Sequence, residues 1–137
     1  MIGSEEFNIY WAVSDMITIE RKGGTPVPFD LPARYVEFKE KYFKGCVPDL
    51  SDDFICAFQK LPFDVVGITF LEEDAQKAGV RKGIRINEKL KEFPNEAQVA
   101  LLHEMIHASG IKGHNVDFKT AVRLLWDKNA YLYPLII

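Results

Sequence analysis

The chain reads PNEAQVALLHEMIHASGIKGHNVDF over residues 94–118. Apolar side chains recur in this stretch at helical spacing, which predicts one amphipathic helix. Asn95, followed three residues later by Gln98, has the pattern of a capping box, so we expect the helix to begin near Asn95. Gly110 is expected to end the helix, because glycine favours the left-handed conformation that follows many helices.

Within this helix, residues 103–107 read His-Glu-Met-Ile-His. Side chains four residues apart leave a helix on the same face, so His103 and His107 can bind one metal ion. Glu104 lies about 100° round the helix, given ~3.6 residues per turn. Its carboxylate is therefore expected beside the open position of the metal, where it can act as a general base towards a metal-bound water.

The chain has three histidines, and the third, His114, lies shortly after His107. Gly110 and Gly113, in the segment between them, allow the backbone to turn back over the helix. Three imidazoles and a water molecule are a common catalytic zinc set. We therefore expect the metal to be Zn²⁺ and its ligands to be His103, His107 and His114.

Other zinc motifs fit the sequence less well. No glutamate follows Glu104, which excludes the motif in which a later glutamate is the third ligand. The pattern HExxHxxGxxH would need a histidine where the chain has Gly113, and no methionine follows the motif. Asp117 and Asp127 are the alternative third ligands.

Periodicity in the rest of the chain predicts two further helices and a small sheet. One helix is expected over residues 31–43, with Asp30 as its N-cap, and another is expected to start after Asn115. Strands are expected over residues 54–59, 63–71 and 83–87. The last of these alternates like a half-buried strand. The order of helix, small antiparallel sheet, helix and helix predicts an α+β fold, with the sheet packed against the histidine-bearing helix.

Residues 1–30 are expected to form an N-terminal extension that packs on a body formed by residues 31–137. The extension is predicted to be a helix followed by an extended piece, with a loop over residues 23–28. The apolar tail, residues 131–137, is expected to pack on the body. A length of 137 residues and a hydrophobic content of 47% are typical of one globular domain.

Cys46 and Cys56 are too few to form a disulfide framework, so we expect two reduced thiols. Residues 1–6 lack the basic start of a signal peptide, and no apolar stretch approaches the length of a membrane span. These features predict a cytoplasmic protein with no membrane partner. They do not predict an oligomeric state.

The chain contains HEMIHA at residues 103–108, followed by GHNVDF at residues 113–118. These residues resemble the HExxH and Gly-His-Gly-x-x-Phe motifs of the SprT-like (Spartan-type) metalloprotease family, with Asn115 in place of the second glycine. YFKGCVP at residues 42–48 is similar to the end of the family's first helix, and GIRIN at residues 83–87 is similar to the strand before its zinc helix. The resemblance covers most of the chain and implies a zincin-like fold.

The resemblance also implies an activity, the zinc-dependent hydrolysis of peptide bonds in a protein or peptide substrate. It implies that His103, His107 and His114 bind Zn²⁺ and that Glu104 is the general base. A zinc-binding relative without hydrolytic activity is one alternative. A DNA-associated factor that acts on DNA-bound proteins is another.

DNA binding would depend on a basic stretch between Lys77 and Lys91. Lys77, Arg81, Lys82 and Arg85 could follow a phosphate backbone. The formal net charge of −3 disfavours this interpretation, and no row of aromatic residues accompanies the basic ones.

Catalysis also needs a group that stabilises the oxyanion. Three residues are candidates: Tyr131, Tyr133 and Arg85. The strand over residues 84–87 is expected to hold an extended substrate by main-chain pairing, as sheet edges do. Asp117 is expected either to orient His114 or to be an ordinary first-turn acid favoured by the helix dipole.

Overall fold

A computed structural model of the chain describes residues 25–26, 29–133 and 135–136. The expected helix and extended piece before residue 25 lie outside these described residues. None of the described helices combines the length and the apolar character needed to cross a membrane.

The described residues form an α+β fold with four α-helices and a small three-stranded sheet. In chain order the elements are β1 (Thr25–Pro26), α1 (Leu31–Tyr42), β2 (Phe54–Gln59), β3 (Gly67–Phe70), α2 (Glu72–Ala78), β4 (Lys82–Asn87), a 3₁₀ helix (Glu88–Glu92), α3 (Pro94–Ala108), α4 (Val116–Asp127) and β5 (Leu135–Ile136). Strands β1 and β5 pair antiparallel with each other. The prediction of a loop over residues 23–28 is therefore wrong for Thr25–Pro26.

The central sheet is mixed, with strand order β2-β4-β3. Strand β4 runs parallel to β2 and antiparallel to β3. The prediction of an antiparallel sheet is therefore wrong. The physical reason is the connection over residues 60–81, in which β3 occupies the far edge and α2 returns the chain, so that β4 enters the middle in the direction of β2. Periodicity within a strand carries no information about this direction.

Helix α2 lies in a polar stretch for which the sequence predicts no helix or strand. Among its residues only Ala75 is buried, so it lacks the apolar period that reveals a helix. Acidic side chains in its first turn favour the helix through its dipole. Gly79 ends it in the left-handed conformation at a φ of 68°.

Strand β4 is buried on both faces, which corrects the expectation of a half-buried strand. The side chains of Ile84 and Ile86 pack into the core with α3. Arg85 points to the opposite face, where its guanidinium lies 5.1 Å from the ring centroid of Phe70. Burial of Arg85, together with the neighbouring charge of Arg81, lowers the pKa of its guanidinium.

Two of the predicted helix starts are confirmed by side-chain caps. Asp30 accepts a hydrogen bond from the backbone N–H of Ala33 at 3.2 Å, and Asn115 accepts one from Phe118 at 3.1 Å. The third prediction, a capping box at Asn95 and Gln98, is wrong. Helix α3 begins one residue earlier, after Phe93, with no side-chain cap.

Gln98 instead lies fully buried in α3, where it joins three parts of the chain. Its Nε2 donates to the backbone oxygens of Ala130 at 3.0 Å and Leu132 at 3.2 Å. Its Oε1 accepts from Nη2 of Arg34 in α1 at 2.6 Å. The segment after α4 is thereby attached to the body, as expected for the apolar tail up to residue 133.

Replacing Gln98 with leucine should lower the free energy of unfolding by about 2–4 kcal/mol, because it leaves the backbone oxygens of Ala130 and Leu132 and the guanidinium of Arg34 without this partner. Urea denaturation measures the change. The matched control is Gln76→Leu, since Gln76 is exposed on α2 and should change stability by less than about 0.5 kcal/mol. Equal effects of the two substitutions would contradict the role assigned to Gln98.

The two cysteines differ in exposure: Cys46 is exposed and Cys56 is buried in β2. Burial raises the pKa of the Cys56 thiol to about 12. Thiol reagents react with the thiolate, so native protein at pH 8 should react with Ellman's reagent at Cys46 alone. Protein unfolded in guanidinium should show both thiols, and native Cys46→Ala should show almost none. Rapid reaction of native Cys46→Ala would contradict this prediction.

Candidate metal centre

Helix α3 carries His103, Glu104 and His107 and is buried on nearly every side. His103 is 4% exposed and Glu104 is 2% exposed, so both polar groups lie inside the protein. Burial of a polar group costs free energy unless a partner satisfies it. The two residues therefore require specific surroundings, and the neighbouring elements supply them.

The chain reverses after α3 and brings His114 back to His107. The turn follows Gly110, which has a φ of 110°. The Nε2 atoms of His107 and His114 lie 3.1 Å apart. On its other side, His107 has Nδ1 at 2.7 Å from the backbone oxygen of Ile111. Donation from Nδ1 to this oxygen leaves the Nε2 lone pair directed towards His114.

All three predicted histidines come together in one cluster. One nitrogen from each ring lies within 4.8 Å of the others. The ring centroids of His103 lie 5.1 Å from His107 and 5.4 Å from His114, and the last two are 4.9 Å apart. Zn–N bonds of about 2.0–2.1 Å in a tetrahedral site separate neighbouring nitrogens by about 3.3 Å. The 3.1 Å between Nε2 of His107 and Nε2 of His114 is close to this value, so the three imidazoles could hold a metal ion such as Zn²⁺.

The two alternative third ligands lie outside this cluster. Among the described residues, the group of side chains around α3 that could hold a metal ion contains only histidines. Asp117 is exposed in the first turn of α4, and Asp127 is exposed at its last residue. The position of Asp117 agrees with that of a first-turn acid favoured by the helix dipole.

Phe118, the last residue of the GHNVDF stretch, packs against all three imidazoles, a contact that the sequence does not predict. Its ring centroid is 4.7 Å from that of His103, 5.0 Å from His107 and 4.8 Å from His114, and the side chain is 0% exposed. Asn115 caps α4, and Phe118 lies in the first turn of this helix, shortly after His114 in the chain.

Glu104 makes close contacts with strand β3, which the sequence analysis did not predict. Oγ1 of Thr69 lies 2.9 Å from Oε1 of Glu104 and 3.1 Å from its backbone oxygen. A Cβ atom at Gly67 would lie 2.9 Å from Cγ of Glu104. Residues two apart in a strand share a face, so the sequence could place Gly67 and Thr69 together. It could not reveal what they touch.

The expectation that Arg85 could stabilise the oxyanion is wrong. Gly67 and Thr69 face Glu104, whereas Arg85 packs with Phe70 on the opposite face of the sheet. Its guanidinium is therefore separated from the histidine cluster by the sheet.

The two tyrosines proposed for the oxyanion are buried near the other end of α3. Tyr133 lies with its ring 5.8 Å from Phe29 and 5.6 Å from the guanidinium of Arg34. Tyr131 packs 6.3 Å from Trp126, and burial raises the pKa of its hydroxyl well above the usual range. These contacts give both residues a structural role.

The expectation that β4 offers an edge to substrate is also wrong. Strand β4 is the central strand and is paired on both sides. In the part of the chain that the structure describes, β3 is the edge strand next to Glu104.

The four basic residues considered for DNA binding do not form one exposed surface. Lys82 makes an ion pair with Glu72, with Nζ and Oε2 3.0 Å apart. Arg85 is 4% exposed. Lys77 and Arg81 remain exposed.

Comparisons with known proteins do not identify a family. No protein-family model matches the sequence, and no curated protein or solved structure matches it. The interpretation of the site therefore depends on its own geometry.

The purified protein should bind one zinc ion per chain, measured by elemental analysis and by competition with a chromogenic chelator. His114→Ala should weaken binding by more than about 100-fold, because it removes one of three ligands. The matched control Asp117→Ala, three residues away, should change affinity by less than about twofold. Zinc binding that survives His114→Ala but is lost in Asp117→Ala would contradict the three-histidine site.

Proposed function

We propose that the chain is a zinc-dependent peptidase of the SprT-like type with a zincin-like fold. The observation that carries this proposal is the convergence of three histidine nitrogens in one cluster. Two of these histidines lie on α3, which also carries the buried Glu104. A site that only stabilises a fold is usually closed by four protein ligands. Three ligands with an adjacent carboxylate are typical of a site that hydrolyses its substrate.

His103, His107 and His114 would hold the zinc ion. When bound, zinc supplies a Lewis acid that polarises the substrate carbonyl and makes water more acidic. Glu104 accepts a proton from the attacking water at its carboxylate and later delivers that proton to the leaving amine. Because the Glu104 side chain is buried between α3 and β3, bulk water is excluded from this proton transfer.

An extended peptide fits the outer edge of β3. The backbone N–H of Asn87 in β4 donates to the backbone oxygen of Val66 at 2.9 Å. Val66, just before β3, therefore occupies a hydrogen-bonded position opposite β4. Positions alternate in antiparallel pairs, so the backbone N–H and C=O groups of Gly67 and Thr69 point away from β4. A substrate strand pairing with these groups would pass directly beside Glu104.

The alternative functions are less well supported. A DNA-associated role would depend on basic residues of which one is buried and one is paired with Glu72. A non-hydrolytic zinc protein would have no use for a carboxylate at position 104. Activity therefore separates the proposals better than binding does.

Substituting Glu104 with glutamine should abolish most hydrolysis of unfolded casein or of a fluorogenic peptide. A loss of about 10²–10⁴-fold is expected, because the amide cannot accept the proton. Zinc content should stay at the wild-type level, since Glu104 is not among the three ligands. The matched control is Glu73→Gln on the exposed face of α2, which should leave turnover unchanged.

Zinc-loaded wild type that hydrolyses neither substrate would contradict the peptidase proposal and favour the non-hydrolytic alternative. Equal turnover of Glu104→Gln and wild type would remove Glu104 as the general base.

A further inference from the structure

Strand β3 approaches α3 more closely at Glu104 than ordinary side chains allow. A Cβ atom at Gly67 would lie 2.9 Å from Cγ of Glu104 and 3.1 Å from Cδ1 of Ile86. Real Cβ atoms essentially never come within 3.0 Å of a neighbouring atom, so a side chain at position 67 would require Glu104 to shift. Glycine at this position therefore sets the distance between the edge strand and the carboxylate-bearing side chain.

Thr69 occupies the next position on the same face and supplies a hydroxyl. A hydroxyl has one hydrogen and here has two acceptors, Oε1 of Glu104 at 2.9 Å and its backbone oxygen at 3.1 Å. The carboxylate is the stronger acceptor, because hydrogen bonds to ionised groups are shorter and stronger. The hydroxyl therefore donates to Oε1 whenever Glu104 is ionised.

We propose that Thr69 is a positioning residue for Glu104, with Gly67 providing the space in which the carboxylate is held. This inference rests on the proposed peptidase function. The Thr69 hydroxyl restricts rotation of the carboxylate about its last bond, so that one orientation is present before substrate arrives. Orientation of this kind lowers the barrier to proton transfer without adding a new reacting group.

The arrangement also links the base to the substrate. The backbone groups of Gly67 and Thr69 point to the open edge of β3. The Thr69 side chain and the space beside Gly67 lie on the face towards Glu104. Gly67 and Thr69 would therefore fix two positions at once. Their backbone would position a paired peptide, and the Thr69 hydroxyl would position the Glu104 carboxylate. The spacing between the scissile bond and the base is thus set by one short strand.

The test compares Thr69→Val with Thr69→Ser in the zinc-loaded protein. Valine keeps the branched shape and removes the hydroxyl, whereas serine keeps the hydroxyl. Thr69→Val should lower kcat by about 10- to 100-fold, the effect of losing one hydrogen bond to a charged group, with KM within about twofold. Thr69→Ser should retain kcat within about threefold. Thr120→Val, on the exposed face of α4, is the matched control and should be unchanged.

A second measurement does not depend on activity. Carbon-13 labelling of the glutamate carboxyls in zinc-free protein gives a resonance for Glu104, identified by its loss in Glu104→Gln. Thr69→Val should shift this resonance, and Thr69→Ser should return it towards the wild-type position. Zinc affinity should be the same in all three proteins, because the histidine ligands are untouched.

The outcomes separate the two proposals. A Thr69→Val protein with wild-type kcat and an unshifted Glu104 resonance would overturn the positioning role and leave the peptidase proposal intact. Wild type without peptidase activity would overturn the peptidase proposal, and with it the catalytic part of this inference. The carboxyl resonance would then still decide whether Thr69 holds Glu104.

Discussion

Helix α3 is buried on nearly all sides and yet carries several polar side chains. Gln98 and Glu104 are almost inaccessible to solvent, and His103 is 4% exposed. Each buried polar group must find a partner inside the protein, because burial without one costs about 1–3 kcal/mol. The other elements of the fold are arranged so that these partners reach α3 from different directions.

The two ends of α3 meet different requirements. Near its first turns, Gln98 binds Arg34 from α1 and the backbone that follows α4, so its role is to join the body of the protein. Near its last turns, Thr69 and the loop oxygen of Ile111 reach Glu104 and His107. One end therefore holds the fold together, and the other end holds Glu104 and His107 in fixed orientations.

The parts of this arrangement that depend on local rules could be predicted from the sequence. The spacing of His103 and His107 follows from the helical period, and the cap at Asn115 follows from a preference of helix starts.

Non-local features could not be predicted. Thr69 lies 35 residues from Glu104, and no pattern in either segment indicates that they meet. Gln98 was assigned to a cap because its sequence neighbourhood fits one, whereas its actual partners come from remote segments. The direction of β4 depends on the route of the chain through α2, which carries too few apolar residues to be recognised.

The contact of Phe118 with all three imidazoles has a consequence for the entropy of metal capture. The imidazoles pack around the ring of Phe118 within the folded chain, so this packing restricts their rotation independently of a metal ion. The ligand set is thus preorganised by the hydrophobic core. In this chain, helix α4 would tune metal affinity from the apolar side of the site, through a residue that has no lone pair to offer.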